Sequence, residues 1–218
     1  MNRLLSVALM ALLLPGCATL KKHTQQEEPA RTKIVPVAGR TSDAHVCPTS
    51  KNTAMTAWHV AFEVNPRTWE IRPRYLMFTG KDGKPGTLVP KMWDPRRDLA
   101  VMVAIGAEFP GWYGFAEEIP KAGDKVKVSG YIMKEGMAQG IGEYTVLTPN
   151  IAGQIRYSGS PMGGSSGSCI LNKEDEIVGI NTAYYASSGG IDITIVGSGW
   201  LVVGPWREIP ELFWREVE

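Results

Sequence analysis

The stretch Met162-Gly163-Gly164-Ser165-Ser166-Gly167-Ser168-Cys169 runs directly into the apolar Ile170 and Leu171. A serine that attacks a carbonyl needs a tight turn that exposes its hydroxyl, and backbone N–H groups aimed where negative charge will develop. Gly163, Gly164 and Gly167 permit such a turn. Ser166 is therefore the candidate nucleophile, with the N–H groups of Gly164 and Ser166 as candidate oxyanion donors. Taken alone, the stretch also fits a flexible Gly/Ser-rich loop, which is the commoner origin of such a composition.

Its place in the chain separates the folds that use a nucleophilic serine. The serine needs a base, and the base needs an orienting carboxylate. The chain has three histidines, His23, His45 and His59, and all precede Ser166. That order excludes the α/β-hydrolases, whose histidine follows the serine, and the Gly-x-Ser-x-Gly elbow also fails because Ser168 holds its last position. The order histidine, aspartate, serine stays open.

Working outward, short runs rich in Val, Ile, Thr and aromatics recur between Gly, Pro, Asp and Asn. They fall at 75–79, 87–89, 99–105, 125–132, 143–147, 170–171, 177–181, 191–196 and 200–203. This spacing predicts an all-β antiparallel sandwich or barrel, and few helical patterns separate the strands. The exception is terminal. Trp206, Ile209, Leu212, Phe213 and Val217 fall near helical spacing, starting from Pro205 or Pro210.

Arg3, the apolar run 4–14 and the sequence Leu14-Pro15-Gly16-Cys17 resemble a bacterial lipoprotein signal, with cleavage before Cys17 and lipid attached to it. The run is too short to span a bilayer as a mature helix. Residues 19–31 are polar and charged without apolar periodicity, and read as a tether. His23 lies there, away from any folded site. The expected organisation is a signal over 1–16, a lipidated cysteine and tether over 17–32, and one folded domain over 33–218. Ala18 is not the aspartate that commonly holds lipoproteins at the inner membrane, so the expectation is a periplasm-facing lipoprotein of the outer membrane.

The net charge of +1, with scattered Lys and Arg, gives no nucleic-acid surface. There is no His-Glu-x-x-His metal motif, no phosphate loop at 80–84, and no third glycine after Gly140 and Gly142 for a dinucleotide fingerprint. No metal or cofactor is expected.

The partners of Ser166 come from two other stretches. His59 closes the apolar run Ala54-Met55-Thr56-Ala57-Trp58, where the chain should change direction. Asp98 precedes the strand Leu99-Ala100-Val101-Met102-Val103, and an aspartate entering such a strand can be buried beside an imidazole and stabilise its charged form. In isolation, the commoner explanation is a satisfied core histidine for His59 and a turn cap for Asp98.

Together these stretches carry a resemblance. Thr56-Ala57-Trp58-His59, Asp98-Leu99-Ala100-Val101 and Gly164–Ser168 resemble, in the same order, the three active-site motifs of the trypsin-like serine proteases. Glu176-Ile177-Val178-Gly179-Ile180-Asn181-Thr182 is similar to the strand after the nucleophile in the bacterial high-temperature-requirement branch. Ala122-Gly123-Asp124-Lys125-Val126 and Gly130-Tyr131 resemble the opening of its second barrel. The resemblance implies a double six-stranded antiparallel β-barrel with a C-terminal helix; because the chain ends with that helix, no peptide-binding domain is expected after it. It also implies a serine endopeptidase that acts on polypeptide, with His59, Asp98 and Ser166 as the triad and an acyl-enzyme intermediate. A catalytically silent barrel that binds a partner at the envelope, or an esterase with the same triad, are the alternatives.

The departures from the family pattern carry their own expectations. Ser165 stands where zymogens keep an aspartate, so no cleavage-driven activation is expected. With Cys17 lipidated, Cys47 and Cys169 remain, and their places in the strand toward His59 and just past Ser166 allow one disulfide. Ser160, six residues before the nucleophile, replaces the aspartate of trypsins. With Thr182, Ala183, and bulky Tyr184 and Trp200 as candidate walls, the expected preference is for small or medium apolar side chains.

Overall fold

A computed structural model of the chain describes residues 35–38, 43–132, 138–149, 152–159, 161, 163–189 and 192–204. The leader, Cys17, the tether, Ser160 and the terminal helix expected from residue 205 onward lie outside the described residues.

Alternation of apolar and polar side chains sets the strands, because successive residues face opposite sides of a sheet. In the first half, these are β1 (Val35–Ala38), β2 (Asp43–Pro48), β3 (Thr53–Ala57), the short α1 (Trp58–Ala61), β4 (Phe62–Val64), β5 (Ile71–Pro73), β6 (Leu76–Thr79), β7 (Pro85–Asp94) and β8 (Leu99–Ile105). In β6, Leu76 and Phe78 point inward while Met77 and Thr79 face out. The second half contains β9 (Lys125–Ile132), β10 (Ala138–Pro149), β11 (Gln154–Ser158), β12 (Cys169–Leu171), β13 (Ile177–Gly189) and β14 (Asp192–Leu201).

Each half closes into a six-stranded antiparallel barrel. The first runs β1-β2-β3-β8-β7-β6 and closes where Ala38 meets Met77. The second runs β9-β10-β11-β14-β13-β12 and closes where Ile170 meets Val128. With the outlying β4–β5 hairpin set aside, both barrels follow the same order: first, second, third, sixth, fifth, fourth. One winding is thus used twice, on two unlike sequences.

Full closure leaves no sheet edge in either barrel and lets each bury an apolar centre. Leu76, Phe78, Leu88, Met102 and Phe109 fill the first, and Val126, Val128, Ile155, Tyr157 and Leu201 fill the second. At about 1.5–3 kcal/mol for each fully buried large apolar side chain, these centres are the main favourable contribution to folding.

Two expected strands, 191–196 and 200–203, merge into β14. Gly197 and Gly199 read as a break in sequence, yet they lie inside the strand because their neighbours leave no room for a side chain. A Cβ on Gly197 would strike the Tyr157 ring, and one on Gly199 would strike the Ile180 carbonyl and the Ile170 side chain.

Between the barrels lies a third cluster made by Cys47, Met55 and Leu99 from the first and Cys169, Leu171, Ile177 and Ile180 from the second. At its centre Cys47 and Cys169 are joined by a disulfide, 122 residues apart in sequence and 4.9 Å apart between Cα atoms. The bond ties β2 to the first residue of β12, three positions past Ser166. Losing a native disulfide typically costs about 2–5 kcal/mol, and a long closed loop belongs toward the upper end in the chain-entropy account. Reduction is expected to lower the unfolding free energy by about that much. Urea curves recorded with and without reductant test this, and coincident curves would contradict it.

Candidate active site

His59 is presented by the junction of β3 and α1. Pairing of β3 with β8 sets Ala57 opposite Leu99, which brings Asp98 beside the start of α1. There the Trp58 N–H donates to the Asp98 carbonyl at 2.9 Å. Asp98 itself adopts φ +50°, a left-handed conformation that Asp tolerates better than most residues. Its two carboxylate oxygens have separate tasks. Oδ1 accepts from the His59 backbone N–H at 2.9 Å, and Oδ2 from the His59 ring Nδ1 at 2.8 Å. An ionised carboxylate can only accept, so Nδ1 carries a proton, and in the neutral ring this leaves the lone pair on Nε2.

Asp98 is less buried than its sequence setting suggests. The side chains of His59 and Asp98 are 45% and 27% exposed. The buried carboxylate of this turn is Asp94, whose side chain is 3% exposed. It accepts from Arg97 Nε at 2.8 Å and from the backbone N–H groups of Arg96 and Arg97. Asp94 ends β7 on its inward face, and the charge-assisted bond to Arg97 offsets its desolvation. The turn so fixed presents Asp98 at its rim.

The Ser166 turn is held by its carbonyls. His45 Nδ1–H donates to Gly164 O at 2.8 Å, and the His45 backbone N–H donates to Ser166 O at 3.0 Å. Ser165 O receives Ser168 Oγ at 2.7 Å, Ser168 N at 3.2 Å and Asn181 Nδ2 at 3.0 Å. Gly167 N–H donates to Asn181 O at 2.8 Å. Gly164 and Gly167 adopt φ +91° and +88°, which glycine reaches without strain. With these carbonyls engaged, the N–H groups of Gly164 and Ser166 make no hydrogen bond among the described residues. Unpaired backbone donors are rare in folded chains, and a pair on one turn beside a serine hydroxyl suits an oxyanion.

Ser166 Oγ donates to the Thr182 carbonyl at 3.3 Å, and no hydrogen bond joins it to His59. The hydroxyl rests on β13. Catalytic hydrogen bonds are often long or unmade before substrate arrives.

Solved structures with this architecture include a Glu endopeptidase, with a TM-score of 0.62 at 17% identity over 82% of this chain and 88% of that one. The serine endoprotease from Yersinia pestis matches with a TM-score of 0.57 at 20% identity, over 75% and 57%. The human pathogenic astrovirus serine protease matches at 0.56 and 12% identity, over 82% and 94%. The fold is that of the chymotrypsin-like serine proteases. No family model and no curated protein sequence matches the chain.

In this chymotrypsin-like double barrel, the site residues come from both halves. His59 and Asp98 belong to the first barrel, Ser166 follows from the second, and His45 on β2 bridges to the Ser166 turn. Of the expected substrate-binding residues, Thr182 is buried, Ala183 is half-buried and Tyr184 is exposed, all on β13, where the Thr182 carbonyl accepts from the Ser166 hydroxyl. Trp200 sits opposite Ile180 on β14 and packs against the cluster around the disulfide.

Sequence reading passed over His45, Tyr157, Ser168 and Asn181. Each is a buried residue with a polar group that engages the Ser166 turn directly or through a neighbour. The signal available was a polar residue on an otherwise apolar stretch, such as His45 between Ala44 and Val46, or Asn181 after Ile180.

Proposed function

We propose that the chain is a serine endopeptidase that hydrolyses peptide bonds through Ser166, His59 and Asp98. The observation that carries this reading is the double hold of Asp98 on the His59 ring and backbone, which fixes the tautomer with a free Nε2. Ser166 Oγ attacks the carbonyl carbon of the scissile bond while His59 Nε2 takes the hydroxyl proton. The carbonyl oxygen becomes an oxyanion and is met by the N–H groups of Gly164 and Ser166. The C–N bond then breaks, and His59 returns the proton to the leaving amine. Water, deprotonated in turn by His59, attacks the acyl-enzyme, and Ser166 departs with the proton.

The leader supports a second element of the proposal: a lipid on Cys17 that holds the domain at the envelope, facing the periplasm, with the tether giving it reach to polypeptide substrates. The hydrogen bond from Ser166 to Thr182 favours the other reading, a barrel that binds polypeptide without cutting it.

Incubation with unstructured protein substrates, read by mass spectrometry for new termini, separates the two. New termini with the wild type and none with Ser166→Ala support the endopeptidase. Intact substrate with both, from folded protein, overturns it.

A further inference from the structure

We infer that Tyr157 and Asn181 form a positioning pair that aims the Ser166 N–H at the oxyanion site. The inference rests on the reading of Ser166 as nucleophile and adds residues from two further strands, β11 and β13. The Tyr157 hydroxyl donates to Asn181 Oδ1 at 2.6 Å, and Asn181 Nδ2 donates to Ser165 O at 3.0 Å. All three residues are buried, with Tyr157 fully so and Asn181 and Ser165 at 4% and 2% exposure.

The orientation of the Asn181 amide is forced. Were it turned over, Oδ1 would face the Ser165 carbonyl, and two acceptors would meet in a buried site without a proton between them. The tyrosine keeps its side of the arrangement under all ordinary conditions. Burial, with a smaller contribution from Tyr144, pushes its hydroxyl well above the ordinary range, so it stays a protonated donor. Its ring is fixed too, by Tyr144 at 5.3 Å between centroids and by Gly197, which has no side chain to displace it.

What the pair controls follows from peptide geometry. The link between Ser165 and Ser166 is planar and trans, so its C=O and N–H point in opposite directions. Pulling the Ser165 carbonyl inward turns the Ser166 N–H outward. Ser168 shares the task through its hydroxyl and N–H, but both come from within the turn and move with it. Asn181 holds the Ser165 carbonyl from outside the turn, from a strand of the barrel wall, while His45 holds the carbonyls of Gly164 and Ser166 on either side. Glycines at 164 and 167 leave the turn free to rotate this peptide when the Asn181 bond is lost. A rotated peptide would direct a carbonyl, not an N–H, toward developing negative charge.

The test uses the full chain and three variants, Tyr157→Phe, Asn181→Val and the double variant. Asn181→Val is expected to lower kcat about 10- to 100-fold, below the 100- to 1,000-fold loss from deleting an oxyanion donor outright. KM should stay within twofold. Tyr157→Phe, which removes one oxygen and keeps the ring, should lower kcat about three- to tenfold and serves alone if Asn181→Val does not fold. Affinity for a peptide aldehyde, whose adduct places an oxygen in the oxyanion site, should fall in step with kcat, while binding of the product peptide holds.

Because Tyr157 acts through Asn181, the double variant should be no worse than Asn181→Val. Kcat within twofold of wild type in the variants, losses confined to KM, or fully multiplicative losses in the double variant would overturn the inference and leave the protease reading standing. A folded wild type that cleaves nothing and does not react at Ser166 overturns both.

Discussion

Asp98→Asn is expected to lower kcat about 10,000-fold, the loss seen when this exchange is made in other triads, with little change in stability. The backbone cost is small, because asparagine is among the residues that best tolerate the left-handed φ of +50° at this position. The chemical cost is large. Asp98 now accepts two N–H groups of His59, from the backbone and from Nδ1. An asparagine oxygen can keep one of these bonds, and the amide then turns its own N–H groups toward Nδ1. The ring answers by moving its proton to Nε2, where it can no longer take one from Ser166. Kinetics and thermal unfolding on the same preparations test this, and activity within tenfold of wild type would show that the carboxylate does not set the tautomer.

Gly167→Ala is expected to abolish activity and lower the stability of the whole domain. The added Cβ would strike the His45 carbonyl and Thr56 Oγ1, which are themselves hydrogen-bonded at 2.9 Å across β2 and β3. It would also hold alanine at a φ of +88°. A left-handed alanine costs about 1–2 kcal/mol and overpacking a close-fitted site about 1–3 kcal/mol more. For a domain of this size, that corresponds to a Tm lower by roughly 5–15 °C. Relief of the clash requires moving the Ser166 turn away from β2, which breaks the bonds from His45 to Gly164 and Ser166. Differential scanning calorimetry with a parallel activity assay measures both effects, and a variant with wild-type Tm and kcat would contradict this account of the turn.

β8, an unbroken apolar run after Asp98, and β9, where Val126 and Val128 alternate with lysine and serine, were legible in the sequence to the residue. Others were hidden by residues whose reason lies elsewhere in the fold. β1 and β2 carry prolines and a buried histidine that faces the second barrel, β11 is five residues long with only Ile155 and Tyr157 facing in, and β14 contains glycines demanded by a neighbouring ring and a neighbouring carbonyl. The candidates His59, Asp98 and Ser166 were legible because the proposed chemistry needs those residue types, in that order, on turns flanked by apolar strands. Which of Asp94 and Asp98 is buried was not, since that depends on which face of β7 its last residue takes. The roles of His45, Tyr157 and Asn181 were equally hidden. His45 reaches the Ser166 turn because the two barrels pack together, and Tyr157 reaches Asn181 because the second barrel closes; no spacing along the chain encodes either proximity.

The most direct test of the central claim is reaction of the folded domain with a fluorophosphonate probe, followed by mass mapping of the label. The account predicts a single adduct on Ser166, absent in Ser166→Ala and strongly slowed in His59→Ala. A folded domain that takes no label at Ser166, or takes it equally well without His59, would contradict an activated serine at this site.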